Sequence, residues 1–382
     1  MKSADIPLSL YVHWPWCVRK CPYCDFNSHA LPGGGDPSHE YIDALIADLK
    51  TSVELAQNRP LISIFIGGGT PSLIQPRELD RFFNAVHANF SVDPDIEITL
   101  EANPGTVDTE HFQTYRSIGI NRLSMGVQSF NDELLKRLGR IHNSKEAHRA
   151  IKIAQETFDN FNLDVMFALP GQTLSELEIE LQEAIQSQST HLSFYQLTLE
   201  PNTVFAKHVP EGIPDPDTID QMQDLVASTL EGAGFEHYEV SGYAKPGKHC
   251  QHNLNYWQFG DYIACGAGAH SKTTLEDGKI LRQARYMQPA SYMQHALQNS
   301  AVAHKRIVAK EDQAFEFMLN VLRLRKGVPL ELLSERTDLS LSDLSKNIEK
   351  AQSLELMDKP LKRFVASDKG WNFLSDLQEI FL

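Results

Sequence analysis

Several features are scarce in this 382-residue sequence, and each scarcity argues against a class of protein. There are five cysteines, an odd number, so a framework of paired disulfides like that of small secreted domains fits poorly. No stretch approaches the roughly 18 consecutive apolar residues of a membrane span, and the start MKSADIPLSLYVHWPW lacks the apolar core of a signal peptide. Basic residues number 35 against 50 acidic ones, and the net charge of −15 argues against a nucleic-acid-binding surface. We therefore expect a cytoplasmic protein with no nucleic-acid partner.

Short β-type runs alternate with helical patterns up to about residue 200, which is typical of βα units around a parallel sheet. The six predicted strands cover residues 8–14, 61–66, 96–101, 122–128, 163–169 and 192–199. Predicted helices cover residues 38–57, 109–118, 131–138, 144–157, 173–187 and 218–233. Six such units predict an α/β fold, a partial (β/α)6 barrel resembling part of a TIM barrel.

Three regions follow from this pattern. Residues 1–237 form the predicted barrel, and residues 238–310 form a connecting region. Within it, residues 238–300 mix glycine, histidine and aromatic residues and are predicted to be irregular and close to a site. Residues 311–382 combine compact helices with a short FVAS strand and a terminal helix, which predicts a small winged-helix-like domain. This last region is slightly acidic, whereas DNA-binding winged helices are usually basic, so a lid or docking role is favoured.

Three cysteines, Cys17, Cys21 and Cys24, form a CxxxCxxC motif directly after the first predicted strand. Thiolates select iron–sulfur clusters or zinc. Structural zinc sites use four protein ligands, and no fourth cysteine follows locally because position 26 is Phe. Three thiolates on a four-iron cluster would leave one iron open for a small molecule.

A zinc site remains the alternative, with the fourth ligand supplied by His13, His29 or Cys250. In either case the neighbouring Arg19 and Lys20 add positive charge, which favours the deprotonated thiolates.

Other polar or glycine residues fall at the predicted strand ends, which form the active face of a βα barrel. Three glycines precede Thr70 after the second strand, and such a loop lets backbone N–H groups approach a ligand, although it could also be a plain turn. Acids and amides at or near the later strand ends are Glu101, Gln128, Asp164 and Glu200. The motif KRLGRIH adds Arg140, whose guanidinium suits a carboxylate.

The CxxxCxxC loop after the first strand resembles the signature of the radical S-adenosylmethionine (SAM) superfamily. The resemblance implies a [4Fe-4S] cluster on the three cysteines, with SAM chelating the open iron and being cleaved to a 5′-deoxyadenosyl radical. It also implies SAM contacts at the positions that match the family's motifs, which are Tyr11, Tyr23, Gly68, Gly69, Thr70, Glu101, Gln128, Arg140 and Asp164, with weaker matches at Thr198 and His270.

Longer motifs narrow this resemblance to the oxygen-independent coproporphyrinogen III oxidase family. They are YVHWPWC…CPYCDFNSH, GGGTPS, LEANPG, MGVQSFND, LGRIH and LDVMFALPGQT. Two departures argue against decarboxylase activity. The oxidases carry a further cysteine two places after Cys24, where this chain has Phe26, and their segment before the first strand is longer. We assign no catalytic residue.

The segment His252-Asn253-Leu-Asn-Tyr256-Trp257 resembles the HNxxYW motif of haem-binding members of that family. An imidazole can ligate haem iron, and flat aromatic side chains can contact a porphyrin. A buried aromatic patch would give the same pattern, and His249 and Cys250 are alternative ligands. Cys265 lies in an apolar stretch and is predicted to be a small buried residue.

The resemblance therefore implies a haem chaperone that carries [4Fe-4S], SAM and haem and delivers haem to haem-requiring respiratory proteins. The rival is a coproporphyrinogen III oxidase that decarboxylates porphyrinogen propionates. Further expectations from the family are an electron donor, a homodimer as one option, and transient contact with the inner membrane surface.

Overall fold

The computed structural model describes residues 3–33, 35–106 and 108–382. Its strands are β1 (Leu8–Trp14), β2 (Trp16–Cys17), β3 (His29–Ala30), β4 (Leu61–Gly68), β5 (Val92–Ala102), β6 (Arg122–Gln128), β7 (Phe161–Phe167), β8 (His191–Gln196), β9 (Glu236–His237), β10 (Gly242–Ala244), β11 (Asp261–Cys265), β12 (His270–Thr274), β13 (Ile280–Arg285), β14 (Val302–Ile307), β15 (Val328–Pro329) and β16 (Arg363–Phe364). Its α-helices are α1 (Ser38–Thr51), α2 (Val53–Ala56), α3 (Pro76–Asn89), α4 (Thr109–Ser117), α5 (Asp132–Arg137), α6 (Ser144–Thr157), α7 (Leu174–Gln186), α8 (Val204–Lys207), α9 (Pro216–Gly232), α10 (Gln251–Trp257), α11 (Pro289–Ala296), α12 (Lys310–Val321), α13 (Leu332–Arg336), α14 (Ser345–Ser353), α15 (Asp368–Asn372) and α16 (Leu374–Glu379).

Twelve of these strands form one open sheet in the order β14-β13-β12-β11-β1-β4-β5-β6-β7-β8-β10-β9. The seven strands from β11 to β8 pair in parallel, and the flanking strands add antiparallel edges. The six predicted strands are β1, β4, β5, β6, β7 and β8. The predicted partial α/β barrel is therefore confirmed, with ends shifted by a few residues.

Helices cover the outer face of the barrel because each one has an apolar stripe and a defined start. In α3, a proline at the first turn is followed by buried Leu79, Phe82, Phe83 and Val86 at helical spacing. The predicted capping box before α7 is present, with Thr173 and Glu176 bonding to each other's backbone N–H groups.

The inner face of the barrel is polar near the amino ends of its strands. Ser63 donates to Ser9 at 2.8 Å between hydroxyl oxygens, and Asn162 donates to the Ser124 hydroxyl at 2.8 Å. The His191 ring also bonds to the Asn162 amide oxygen at 2.7 Å. Buried polar groups need hydrogen-bond partners. The element that covers this interior must therefore supply further donors and acceptors.

Helix α10 closes the barrel interior beside β1 and β4. The Glu97 carboxylate on β5 accepts the backbone N–H groups of Gln251 (3.1 Å) and His252 (3.2 Å) at the start of the helix. The buried Asn255 amide donates to the Ser9 hydroxyl at 2.8 Å. The helix that carries the HNLNYW sequence is thus fixed to three barrel strands.

The other side of α10 belongs to a second hydrophobic core. Leu254 and Trp257 pack against a cluster built mainly from α12 and the elements that follow it, including buried Phe317 and Phe364. The barrel has its own, larger core. Because α10 is hydrogen-bonded to barrel strands on one side and packs against this second cluster on the other, it joins the C-terminal helical unit to the barrel.

The prediction of irregular structure for residues 238–300 is wrong, because β11, β12 and β13 extend the main sheet there. Buried charged residues make these strands hard to recognise in the sequence. Asp261 is fully buried and pairs with Arg59 at 2.7 Å and with Lys272 at 2.9 Å, and Asp48 pairs with Arg285. Charged residues at buried positions break the apolar alternation by which strands are recognised.

The C-terminal unit is small and helical, with the two-stranded β15–β16 sheet between its helices, as the predicted winged-helix-like fold requires. The boundaries 1–237, 238–310 and 311–382 stay a prediction. None of the described helices has the length and apolar character needed to cross a membrane.

We expect Asn255→Ala to lower the free energy of unfolding by about 1–3 kcal/mol, because the Ser9 hydroxyl and the Asp261 carbonyl both lose a buried donor. Asn253→Ala, on the same helix but half-buried and without a side-chain hydrogen bond among the described residues, should cost at most about 0.5 kcal/mol. Urea unfolding of the two variants measures the difference, and equal losses would contradict the role given to α10.

Candidate functional site

A cavity of about 360 Å³ opens at the carboxyl ends of the barrel strands, a typical size for a small-molecule site. Its wall on one side is the CxxxCxxC loop, and its other walls are strand ends. The predicted residues that line it are Cys17, Cys21, Cys24, Tyr23, Gly68, Gly69, Thr70, Glu101, Gln128, Arg140 and Asp164. Eleven residues from distant parts of the sequence therefore meet at one place.

The cysteine loop is held in place mainly by Asn27. Its amide nitrogen donates to the carbonyls of Ala267 (2.9 Å) and Met287 (2.8 Å), which follow β11 and β13. On the opposite side, the carbonyl of Pro22 accepts the Phe205 N–H at 3.1 Å. The loop thus bridges the two flanks of the open barrel.

The glycine loop after β4 is packed against the strand end that precedes the cysteines. Gly69 donates its N–H to the Trp14 carbonyl at 2.6 Å, and a Cβ at this position would lie 2.5 Å from the Trp16 carbonyl oxygen. Gly68 has φ +116°, which side-chain-bearing residues rarely adopt. The backbone therefore requires glycine at both positions, and the SAM contacts of this loop stay a prediction.

Arg140 brings a guanidinium to the thiols. Its Nη1 lies 3.5 Å from the Cys21 Sγ, and its Nη2 donates to the Gly126 carbonyl at 2.6 Å. Nearby, Gln128 has φ +69° and accepts a hydrogen bond from the Tyr195 hydroxyl at 2.5 Å. A non-glycine residue in this left-handed conformation at a cavity wall marks local strain of the kind that clusters at functional sites.

Two partly buried carboxyls, Glu101 and Asp164, line the cavity. Burial raises the pKa of Glu101 to about 8, and the negative charge of Asp164 adds to the effect. Burial also raises the pKa of Asp164, although Asn162, Ser124 and Ser193 hydrogen bonds oppose the shift. Glu101 is therefore mainly protonated at neutral pH, and the Gly68 N–H donates to its Oε2 at 3.0 Å.

The thiols suit a soft metal centre. Burial raises the pKa of Cys17 and of Cys24, and the positive charge of Lys20 lowers that of Cys24 too little to reverse the shift. Arg19 and Lys20 are thus insufficient to keep both thiols ionised. Deprotonation then accompanies metal binding, which releases protons. Three thiols on one cavity wall, with a guanidinium beside one of them, fit an iron–sulfur cluster with an open position.

The proposed zinc ligands have other partners. The His13 nitrogens bond to the Tyr11 hydroxyl and to the Asn27 carbonyl, each at 2.9 Å. The His29 ring bonds to the Asn27 side chain at 3.1 Å. Cys250 is fully buried beside Glu97, away from the cavity. Over the described ranges, no group of three or more His, Cys, Asp or Glu residues is arranged to hold a single metal ion.

Three predicted SAM residues lie elsewhere. Tyr11 and His270 line a second cavity of about 300 Å³, which adjoins the first at Phe26, Gly68 and Glu101. Thr198 is exposed, and its hydroxyl bonds to Glu200 at 2.8 Å.

The four residues predicted to bind haem are spread over α10. His252 is 1% exposed, with its Nδ1 bonded to the Ser63 hydroxyl at 2.9 Å and its ring stacked on Phe65. Burial lowers the pKa of His252 to about 3, so the ring is neutral. Asn253 is half-buried, Tyr256 lines the second cavity, and Trp257 packs under Arg323 at 4.3 Å.

Some lining residues were missed by the sequence analysis. Ser124 and Tyr195 line the first cavity from β6 and β8, and Tyr262 lines the second from β11. Ser124 and Tyr195 lie within predicted strands, so an alternation count on each strand could have indicated them. Tyr262 could not be found in this way, since β11 was not predicted.

Fold and site together define a radical SAM protein. The family model of the radical SAM superfamily matches residues 11–184, and the model of the HemN C-terminal domain matches residues 308–373. The "Heme chaperone HemW" of Escherichia coli strain K12 is 45% identical over 377 residues, with 98% of each chain covered. That of Haemophilus influenzae is 44% identical over 381 residues, again with 98% of each chain covered. The chain therefore belongs to the HemW family.

A solved structure shows the same fold. The coproporphyrinogen III oxidase HemN of Escherichia coli, described as a radical SAM enzyme, superposes with a TM-score of 0.83 over 99% of this chain and 90% of its own. Its sequence identity is 21%, so this likeness concerns the fold alone. Membership of the radical SAM superfamily implies a [4Fe-4S] cluster and SAM.

The raised pKa of Glu101 predicts a pH-dependent stability. A carboxyl whose pKa is about 8 when folded and about 4.5 when unfolded destabilises the fold progressively as the pH rises between these values. We expect Glu101→Gln to remove much of this loss in the cluster-free protein, on the order of 1–4 kcal/mol between pH 5 and pH 8. Thermal melts at both pH values, with exposed Glu156→Gln as the control, measure it. The prediction fails if wild type and Glu101→Gln show the same pH dependence.

Proposed function

We propose that this chain is a radical SAM haem chaperone, which binds haem and delivers it to haem-dependent respiratory proteins. The observation that carries the proposal is the full-length identity of 44–45% with proteins named heme chaperones. The geometry supports it, because a second cavity with aromatic walls adjoins the cavity of the three thiols.

In this proposal Cys17, Cys21 and Cys24 hold the [4Fe-4S] cluster. SAM occupies the rest of the first cavity, contacted by Tyr23, Gly68, Gly69, Thr70, Glu101, Gln128, Arg140 and Asp164. Tyr11 reaches SAM from the adjoining cavity. A cluster bound at these thiols would supply the electron for reductive cleavage of SAM.

The protein's own groups bind and orient SAM. The Arg140 guanidinium, fixed by the Gly126 carbonyl, is aimed at the thiols and suits the SAM carboxylate. Glu101 holds its proton on Oε1, because Oε2 accepts the Gly68 N–H. A protonated Glu101 can donate a hydrogen bond to the polar groups of SAM, and the Asp164 carboxyl can accept one.

Haem is assigned to the HNLNYW helix and the second cavity, with His252, Asn253, Tyr256 and Trp257 as the predicted residues. The proposal includes haem-requiring respiratory proteins as recipients and an electron donor for the cluster. It also includes homodimer formation and transient contact with the inner membrane surface during delivery.

The competing function is oxygen-independent coproporphyrinogen III oxidation, which the shared fold with HemN favours. Against it stands Phe26, which occupies the position of the further oxidase cysteine and is 57% exposed at the rim of both cavities. An apolar ring there cannot act as a thiol does.

We expect Cys17→Ser, Cys21→Ser and Cys24→Ser each to abolish the brown chromophore and most of the iron after anaerobic reconstitution, against about four iron and four sulfide per chain for wild type. Cys250→Ser and Cys265→Ser are the matched controls and should keep both, because these two thiols are buried away from the cavity. Loss of iron in the Cys250 variant, or zinc in place of iron in wild type, would contradict the assignment.

Haem titration of the reconstituted wild-type protein should give saturable binding, followed by the Soret band. Incubation with coproporphyrinogen III, SAM and a reductant should give no 5′-deoxyadenosine in proportion to released CO₂. Absence of haem binding would refute the chaperone proposal, and proportional product formation would establish the oxidase instead.

A further inference from the structure

The second cavity lies inside the barrel mouth, on the side where β11 and β12 extend the sheet. Four aromatic side chains line it: Tyr11 from β1, Phe26 from the cysteine loop, Tyr256 from α10 and Tyr262 from β11. Polar side chains in the lining are His13, Asn27, Glu101 and His270. The rings of Tyr256 and Tyr262 meet edge to face at 4.3 Å.

The second cavity is open to solvent at one edge. Phe26 is 57% exposed and His270 is also exposed, so a ligand larger than about 300 Å³ could keep one edge in water. A planar macrocycle with charged propionates needs both an apolar wall and such an open edge. A carrier that must release its cargo also gains from partial exposure.

An iron ligand in this cavity has to be an accessible, unoccupied donor. His252 does not qualify, because its Nδ1 is bonded to Ser63 and its Nε2 is buried without a partner among the described residues, behind Phe65 and Tyr256. His13 does not qualify either, since both its nitrogens are hydrogen-bonded.

The tyrosines are unsuited to bind the iron as phenolates. Burial raises the pKa of Tyr11, Tyr256 and Tyr262 above the ordinary value, so all three stay protonated at neutral pH. They act as walls and hydrogen-bond donors. Cys250 and Cys265 are fully buried and do not line the cavity.

His270 remains. It begins β12, faces Ala284 of the neighbouring strand, and its imidazole makes no hydrogen bond within the described part of the chain. Partial burial of the ring and the charges of Arg282 and Arg285 lower its pKa, which favours the neutral ring that binds metals.

We propose that His270 is the axial ligand of haem, with the macrocycle against the aromatic wall formed by Tyr11, Phe26, Tyr256 and Tyr262. This inference rests on the proposed haem-chaperone function, replaces His252 by His270 as the iron ligand and withdraws His270 from the predicted SAM contacts. His252 keeps a structural role, in which it fixes α10 to β4 and backs the aromatic wall through Tyr256.

The test compares two probes, ferric haem and metal-free protoporphyrin IX, on the reconstituted full-length protein. His270→Ala should weaken haem binding at least about tenfold and change its Soret and electron paramagnetic resonance signatures, because even an outer-shell change typically costs 10–100-fold in metal affinity. Its affinity for protoporphyrin IX should stay within about twofold. Added imidazole should restore the wild-type haem spectrum.

Two further variants keep the result interpretable. Tyr262→Leu should weaken both probes, since it removes a wall rather than the ligand, and His252→Ala should keep the wild-type axial signature in whatever fraction remains folded. Thermal melts and iron content verify folding for each variant.

The outcomes separate this inference from the function on which it rests. If wild type binds haem and His270→Ala binds it with the same affinity and spectrum, His270 is excluded and the chaperone function stands. A changed axial signature in His252→Ala alone would overturn the inference in favour of His252. If wild type binds no haem, the proposed function itself falls.

Discussion

The Glu97 carboxylate holds the architecture together, because it anchors α10 inside a barrel that does not close. It accepts two backbone N–H groups at the start of the helix, which a seven-residue helix cannot satisfy internally. From that anchor, His252 and Asn255 bind polar groups of β4 and β1. A polar interior that would otherwise be unsatisfied is thereby converted into a set of paired hydrogen bonds.

The same helix contributes to the barrel mouth. Two adjoining cavities lie there and share Phe26, Gly68 and Glu101, and α10 supplies Tyr256 to the second of them. One is lined by thiols, carboxyls and a guanidinium, and suits a charged small molecule beside a cluster. The other has aromatic walls and suits a flat apolar one. A cavity suited to a charged small molecule and a cavity suited to a flat apolar one therefore lie next to each other.

Much of this could be predicted from the sequence. The six strands and the cysteine cavity follow from periodicity, a local three-cysteine motif and the rule that parallel strands end at one edge. The extension of the sheet by β11 to β14 could not, because Asp261 and Lys272 are buried as an ion pair and look like surface residues in the sequence. The burial of His252 was equally hidden, since its partner Ser63 lies 189 positions away. A sequence motif can identify a helix, but only the contacts of that helix show which of its residues can face a ligand.

The support that Asn27 gives to the cysteine loop depends on residues that are synthesised much later than the loop itself. Its amide is satisfied by carbonyls 240 and 260 positions later, so the cysteine loop lacks its support until the strands near Ala267 and Met287 have been made. On the ribosome the three thiols therefore emerge early and wait for most of the protein to follow. Loading of iron and sulfide into this loop belongs after synthesis is largely complete, and the exposed nascent thiols are the stage at which oxidation would do the most damage.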